Sequence, residues 1–314
     1  MNFADKLLSA VERVKNPTVV GLDTRLEYVP KAIVDGYMSE CESPVDAACL
    51  AIFDFNRMII DAVCDIVAAV KPQLAYYEMY GPAGFEMFRQ TVAYAREKGL
   101  LVIADGKRGD IGSTSEAYSS AFLGRTNVSS DDVATFDADA LTVNPYVGID
   151  GLAPFIEDCK KYDKGIFVLV KTSNKSSVQV QDLELKNGGR LYEHVARLVA
   201  EWGGDLTGSS GYSSVCAVVG ATWPEEAVRL REIMPNTIFL VPGYGAQGGG
   251  AADAANAFNK DGKGAVVNAS RSILCAYMSD RWKGQYSEND FDAAARAEAL
   301  RMRDDLMDAI AKIK

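Results

Sequence analysis

A single histidine, His194, stands in a chain of 314 residues. That scarcity excludes several kinds of chemistry. Ser-His-Asp and Cys-His catalysis lose their usual base, and His-rich metal sites lose their ligands. His194 lies in Arg190-Leu191-Tyr192-Glu193-His194-Val195-Ala196-Arg197, a segment of helical periodicity. With no partner beside it, it reads as a surface or packing residue. The six cysteines (Cys41, Cys49, Cys64, Cys159, Cys216 and Cys275) include no Cys-x-x-Cys pair. Neither a zinc site nor a redox motif is indicated, and buried reduced thiols are expected. Basic charge is short too: 33 Lys and Arg against 43 Asp and Glu give a net charge of −10. A chain this acidic, with no basic run, is a poor match to nucleic acid or an anionic membrane. Any phosphate would have to be held locally, by backbone amides and one or two cations. No run approaches membrane-spanning length, and the amphipathic start Met-Asn-Phe-Ala-Asp-Lys lacks the apolar core of a signal peptide. The expected location is cytoplasmic. Repeats and low-complexity linkers are also missing, so residues 1–314 are expected to form one domain.

Short apolar runs, by contrast, recur. They are Thr18–Asp23, Ala68–Pro72, Leu101–Asp105, Ala140–Asn144, Ile166–Lys171, Val215–Gly220, Thr237–Pro242 and Gly264–Asn268. Continuous apolar strands separated by helices indicate a parallel sheet covered on its outer face. Eight such units at this length predict an α/β protein of the closed (β/α)8 TIM-barrel class. Between them, Ser43-Pro44 is an N-cap followed by proline at the first helical position. Ile52, Phe55, Ile59 and Val63 then recur at helical spacing. Gly99 closes the helix before the third run. A last helix is expected from near Ser287, covering the bottom or side of the barrel. The longest irregular stretch, about 172–214, reads as a βα-loop insertion with a helix near Leu191–Trp202. Such a loop on the catalytic face is a natural cover for a site, or a passive insertion.

In this fold chemistry sits at the C-terminal ends of the strands. The runs end on Asp23, on Lys71, on Asp105 with Lys107, and on Lys171-Thr172-Ser173. The last two end on Pro242-Gly243-Tyr244-Gly245-Ala246-Gln247-Gly248-Gly249 and on Asn268-Ala269-Ser270-Arg271. Polar groups thus converge on one face from six strands. The glycines expose backbone N–H donors and allow close approach, and Arg271 can contact a phosphate through two N–H groups. Glycine-rich turns alone are weak evidence; with an arginine after the eighth strand they point to a phosphate site.

The densest charge is in Asp105-Gly106-Lys107-Arg108-Gly109-Asp110-Ile111-Gly112-Ser113-Thr114. An isolated Asp-x-Lys fits a solvated turn with a surface ion pair equally well. Charges beside a buried strand end must instead be paired, and can hold a lysine protonated and aimed. The longer string Asp105-x-Lys107-x-x-Asp110-Ile111-x-x-Thr114 resembles the signature of the orotidine 5′-phosphate decarboxylase family. Its full form is similar to the longer-chain bacterial subfamily. The resemblance covers nearly the whole chain in order. It implies that Asp23 binds ribose, that Lys71 is the second-strand lysine, and that Ser173 contacts the pyrimidine. It implies Gln247, Gly248 and Arg271 at the phosphate. One departure is Lys175-Ser176, where the family usually has Pro-Gly.

The implied reaction converts orotidine 5′-monophosphate to UMP and carbon dioxide. Negative charge left at C6 calls for electrostatic stabilisation and then a proton. Lys107 is the candidate for both, with Asp105 and Asp110 holding it and Lys71 balancing their charge. The resemblance implies no metal and no organic cofactor. It also implies a homodimer in which Asp110, Ile111 and Thr114 reach the partner's substrate. Two other readings stay open. One is a Mg²⁺-dependent sugar-acid-phosphate decarboxylase of a related barrel family, which has a carboxylate ligand where this chain has Lys71. The other is a non-catalytic phosphosugar-binding barrel.

Overall fold

Every one of the eight apolar runs forms a strand, and the strands close on one another. The computed structural model describes residues 1–245 and 248–313. In chain order the strands are β1 (Thr18–Leu22), β2 (Ala69–Pro72), β3 (Leu101–Arg108), β4 (Thr126–Val128), β5 (Asp131–Val133), β6 (Ala140–Val143), β7 (Gly165–Lys171), β8 (Ser213–Val219), β9 (Thr237–Val241) and β10 (Ala265–Ala269). Eight of them make a closed parallel barrel in the order β1-β10-β9-β8-β7-β6-β3-β2. The exposed strands β4 and β5 pair as a separate antiparallel hairpin, an insertion not anticipated from the sequence.

Strand alternation sorts the barrel into two cores. Val20, Val70, Val102, Leu141 and Val168 face out and pack under the helices. Val19, Ala69, Ile103, Ala140, Phe167, Cys216, Ile238 and Val266 face in and fill the lower half of the barrel. Two residues further along each of β2, β3, β6 and β10, the inward positions turn polar. That change of layer places the site.

The lower end is plugged by the helix Phe3–Val14, whose Phe3, Leu7 and Leu8 join the inner core. Phe3 meets Phe167 edge to face at 5.9 Å. A side chain at Gly165 would collide with the Phe3 ring, which explains glycine at the start of β7. The final helix, Phe291–Ala311, lies along the side beside β1 and the helix Pro44–Val63. Of the two placements expected for it, the side is occupied. The plug is the N-terminal segment, whose amphipathic character was its signal. The Ser43 hydroxyl caps Pro44–Val63 by accepting from the Asp46 N–H, and Gly99 has φ 79°. His194 is exposed on the helix Leu191–Trp202, which packs outside β7 and β8. The cysteines are all free, four of them buried.

Asp5 fastens the plug to the turn before β8. Its buried carboxylate accepts from the Ser209 N–H (3.0 Å), the Ser209 hydroxyl (2.9 Å) and the Ser210 N–H (2.8 Å). Burial works against the charged form, but these bonds outweigh it and hold the carboxyl below its ordinary value of 3.8. A lowered folded-state pKa stabilises the fold above the unfolded value, and the contribution fades as pH falls through the folded value. Asp5→Ala should therefore cost about 1.5–3 kcal/mol in urea unfolding at neutral pH. The gap between the two proteins should narrow below about pH 4. A gap independent of pH would mean that the carboxylate charge contributes nothing.

Candidate active site

At the upper end of the barrel the inward positions are Lys71, two residues past Ala69, Asp105 past Ile103, Thr142 past Ala140, and Asn268 past Val266. They line a cavity of about 510 Å³. Its floor centres on the buried Asp105 carboxylate, which takes four donors. Oδ2 accepts from Lys71 Nζ at 2.7 Å and Gln73 Nε2 at 3.0 Å. Oδ1 accepts from Lys107 Nζ at 2.6 Å and the Thr142 hydroxyl at 2.9 Å. Lys71 Nζ also lies 3.6 Å from Asp23 Oδ1, so the array runs Asp23–Lys71–Asp105–Lys107.

The electrostatics follow from burial and pairing. Burial disfavours the Asp105 carboxylate, but the Lys71 and Lys107 ammonium groups outweigh it, and its carboxyl falls well below the ordinary range. Burial likewise opposes charge on Lys71, yet Asp105 and Asp23 overcome it and push the ammonium above its usual value. Both groups are charged at neutral pH. Leaving either without the other would strand a buried charge.

Strand β3 does not stop at Asp105. It continues through Arg108, with an irregular register against β6 between Ala104 and Arg108. Lys107 sits there at φ 47°, a left-handed conformation uncommon for a side-chain-bearing residue. Its N–H donates to the Thr142 hydroxyl at 2.9 Å, fixing the kink while its ammonium faces Asp105. The adjacent Arg108 turns the other way, pairing with Glu78 and lying over Tyr118 and Phe122.

The rim comes from other strands. Thr172, Ser173 and Asn174 after β7, Gly243 and Tyr244 after β9, and Arg271 after β10 all face the cavity. Arg271 is exposed and opens the short helix Arg271–Leu274. Gln247 lies outside the described residues. Gly248, at φ 94°, donates its N–H to the Gly245 carbonyl at 3.0 Å and does not line the cavity.

The structure therefore brings together Asp23, Lys71, Asp105, Lys107, Ser173 and Arg271. It does not bring Asp110, Ile111 or Thr114 into the chain's own cavity. Asp110 Oδ1 accepts from the Ile111 N–H, and Ile111 and Thr114 are exposed. Lys171 corrects the expectation that every polar strand end joins one face. A bulge between Leu169 and Lys171 sends its side chain to the outer layer. Gln73 and Thr142 were missed as site residues, and Asn268, read as one of the polar strand ends, was given no role. Their signal was present: Thr142 and Asn268 lie two places beyond an inward-facing apolar position, and Gln73 two places beyond Lys71.

Among the described residues no three His, Cys, Asp or Glu side chains are grouped to hold a metal ion. Nor is any described helix long and apolar enough to cross a membrane.

Comparison with known proteins gives the arrangement a family. Residues 46–280 match the orotidine 5′-phosphate decarboxylase / HUMPS family. The chain is 45% identical to the orotidine 5′-phosphate decarboxylase of Rhodopirellula baltica, over 98% of this chain and 99% of the relative. It is 41% identical to that of Caldicellulosiruptor saccharolyticus, over 99% of both chains. The solved Leishmania donovani OMP decarboxylase superposes with a TM-score of 0.72 at 29% identity, covering 99% of each chain. The chain belongs to the orotidine 5′-phosphate decarboxylase / HUMPS family.

Proposed function

We propose that this protein decarboxylates orotidine 5′-monophosphate to UMP and carbon dioxide, the last step of de novo pyrimidine nucleotide synthesis. The observation that carries the reading is the Lys71–Asp105–Lys107 array on the floor of a cavity with Arg271 on its rim. In the reaction the C6–carboxylate bond breaks, carbon dioxide leaves, and the electron pair stays at C6. The Lys107 ammonium stabilises that charge and then gives C6 a proton, which solvent restores. An ion already fixed by Asp105 needs little reorganisation as charge develops, and that is where such sites gain most of their rate. Asp23 binds ribose, Ser173 contacts the pyrimidine, and Gln247, Gly248 and Arg271 hold the phosphate. Phosphate binding, remote from C6, supplies energy that orders the site around the ring. The end-to-end match to Rhodopirellula and Caldicellulosiruptor relatives supports placement with the longer-chain bacterial enzymes.

The active unit in this reading is a homodimer that shares its sites. Support comes from Asp110, which lies outside its own cavity beside a run of exposed apolar side chains. Ile111 is 57% and Tyr146 86% exposed, and Val147 and Ile149 are open to solvent too. Asp110, Ile111 and Thr114 then act at the cavity of the partner subunit.

The Mg²⁺-dependent alternative fits the donors less well. Asp23 and Asp105 both face Lys71, and an ammonium takes the place a hard cation would need. The reading is tested by following the orotate chromophore as orotidine 5′-monophosphate is added to the folded protein. Its conversion to the uracil spectrum is expected; an unchanged spectrum removes the reading. Arg271→Ala should separate the phosphate from the ring. Turnover of the nucleotide should fall by ~10²-fold, as for loss of a charge-assisted pair of bonds. The poor turnover of the nucleoside orotidine should change little. Equal losses on both substrates would place Arg271 in support of the fold or of the ring.

A further inference from the structure

The segment Thr172–Ser173, which borders the cavity after β7, is gripped from behind by a half-buried assembly centred on Lys171. Lys171 is fully buried, and its Nζ pairs with Asp182 Oδ1 at 2.6 Å. The same ammonium lies over the Trp223 ring at 4.6 Å and the Tyr192 ring at 5.2 Å. The surroundings of that ion also hold the segment. The Trp223 indole N–H donates to the Thr172 carbonyl at 2.9 Å, and the Thr222 hydroxyl donates to the Ser173 carbonyl at 3.0 Å. Gln181, next to Asp182, accepts from the Thr172 N–H at 3.0 Å and donates to the Thr172 hydroxyl at 2.8 Å. Gly220 packs so closely on the Ser173 backbone that a Cβ there would come within 2.8 Å of it.

Burying an ammonium and turning a strand to do so are both unfavourable in themselves. The bulge that sends Lys171 outward pairs it with Val219, next to Gly220, while Leu169 stays inside the cavity. The next two residues are thereby delivered to the cavity rim. Lys175-Ser176 follow shortly after, so the segment has no proline to stiffen it.

We propose that Lys171 and Asp182, with Trp223 as the link, are positioning residues that fix Ser173 against the pyrimidine end of the site. The proposal rests on the decarboxylase reading and on Ser173 as the residue that meets the ring. Lys171 never touches substrate; it acts through the Thr172–Ser173 backbone. Small misplacements of a positioned group cost up to ~10²-fold in rate. Lys171→Met should therefore lower kcat/KM for orotidine 5′-monophosphate by ~10- to 100-fold. Trp223→Phe keeps a ring over the ammonium and removes the indole N–H, and should cost ~5-fold.

A double-mutant cycle with Ser173→Ala is the test, because residues that act through one another are not additive. Lys171→Met and Trp223→Phe should each lose activity in the wild-type background. In the Ser173→Ala background each should lose no more than about twofold further. Wild-type activity in the single variants, or losses that multiply with Ser173→Ala, would overturn the proposal. If Lys171→Met does not fold, judged by its thermal melt, the Trp223→Phe cycle decides alone. A wild-type protein that leaves orotidine 5′-monophosphate unchanged would overturn the decarboxylase reading instead.

Discussion

Lys107→Ala is expected to lower turnover of orotidine 5′-monophosphate by at least ~10³-fold, the usual cost of removing one preorganised electrostatic group. Two jobs fail together in this variant: the cation facing the developing charge at C6 and the proton that quenches it. The fold should survive. Lys107 is half exposed, and Asp105 keeps Lys71, Gln73 and Thr142 as donors when Lys107 is gone. Nucleotide binding should also persist in part, since Arg271 and the turn after β9 are untouched. The check is a single-turnover assay beside a UMP-binding titration. A folded Lys107→Ala protein with a tenth of wild-type activity would move the catalytic role elsewhere.

Mixing two inactive proteins should restore activity. If each site takes Asp110 from the partner subunit, Lys107→Ala and Asp110→Ala homodimers are both nearly inactive. In a mixed dimer one site carries both defects and the other carries neither. The good site combines Lys107 of the Asp110→Ala chain with Asp110 of the Lys107→Ala chain. Random exchange makes about half of the dimers mixed, so activity should return to roughly a quarter of wild type. Subunit exchange, verified by mass spectrometry and followed by the decarboxylation assay, decides the matter. Verified exchange without recovery would assign Asp110 to its own chain's site, although it does not line that cavity.

The barrel was readable because each strand is buried on both faces, so apolar runs marked its position directly. Asp23, Lys71 and Asp105 were readable because a charge abutting such a run is costly to desolvate unless it is paired or binds something, and Arg271 because an arginine after the eighth strand, beside glycine-rich turns, suits a phosphate. Gln73, Thr142 and Asn268 were harder to see. They are neutral, and their inward direction depends on a two-residue alternation visible only once inside and outside are known. Lys171 shows the opposite failure. By alternation from Leu169 it belongs inside, but one bulged residue reverses it, and nothing in Val168-Leu169-Val170-Lys171 marks a bulge. The β4–β5 hairpin escaped notice because its strands are exposed and three residues long, too short for a periodic signal. The plug helix was seen as amphipathic, yet its target, the lower mouth of the barrel, exists only after closure.

An ion array of this kind should decarboxylate a pyrimidine nucleotide without a metal ion. The most direct test is turnover by protein stripped of divalent ions and assayed in EDTA. Orotidine 5′-monophosphate and a sugar-acid phosphate would be offered in parallel, each with and without added Mg²⁺. Orotidine 5′-monophosphate is expected to become UMP at the same rate in EDTA and in Mg²⁺, while the sugar-acid phosphate is left unchanged. Turnover of the sugar-acid phosphate alone, appearing only when Mg²⁺ is restored, would contradict the metal-free mechanism.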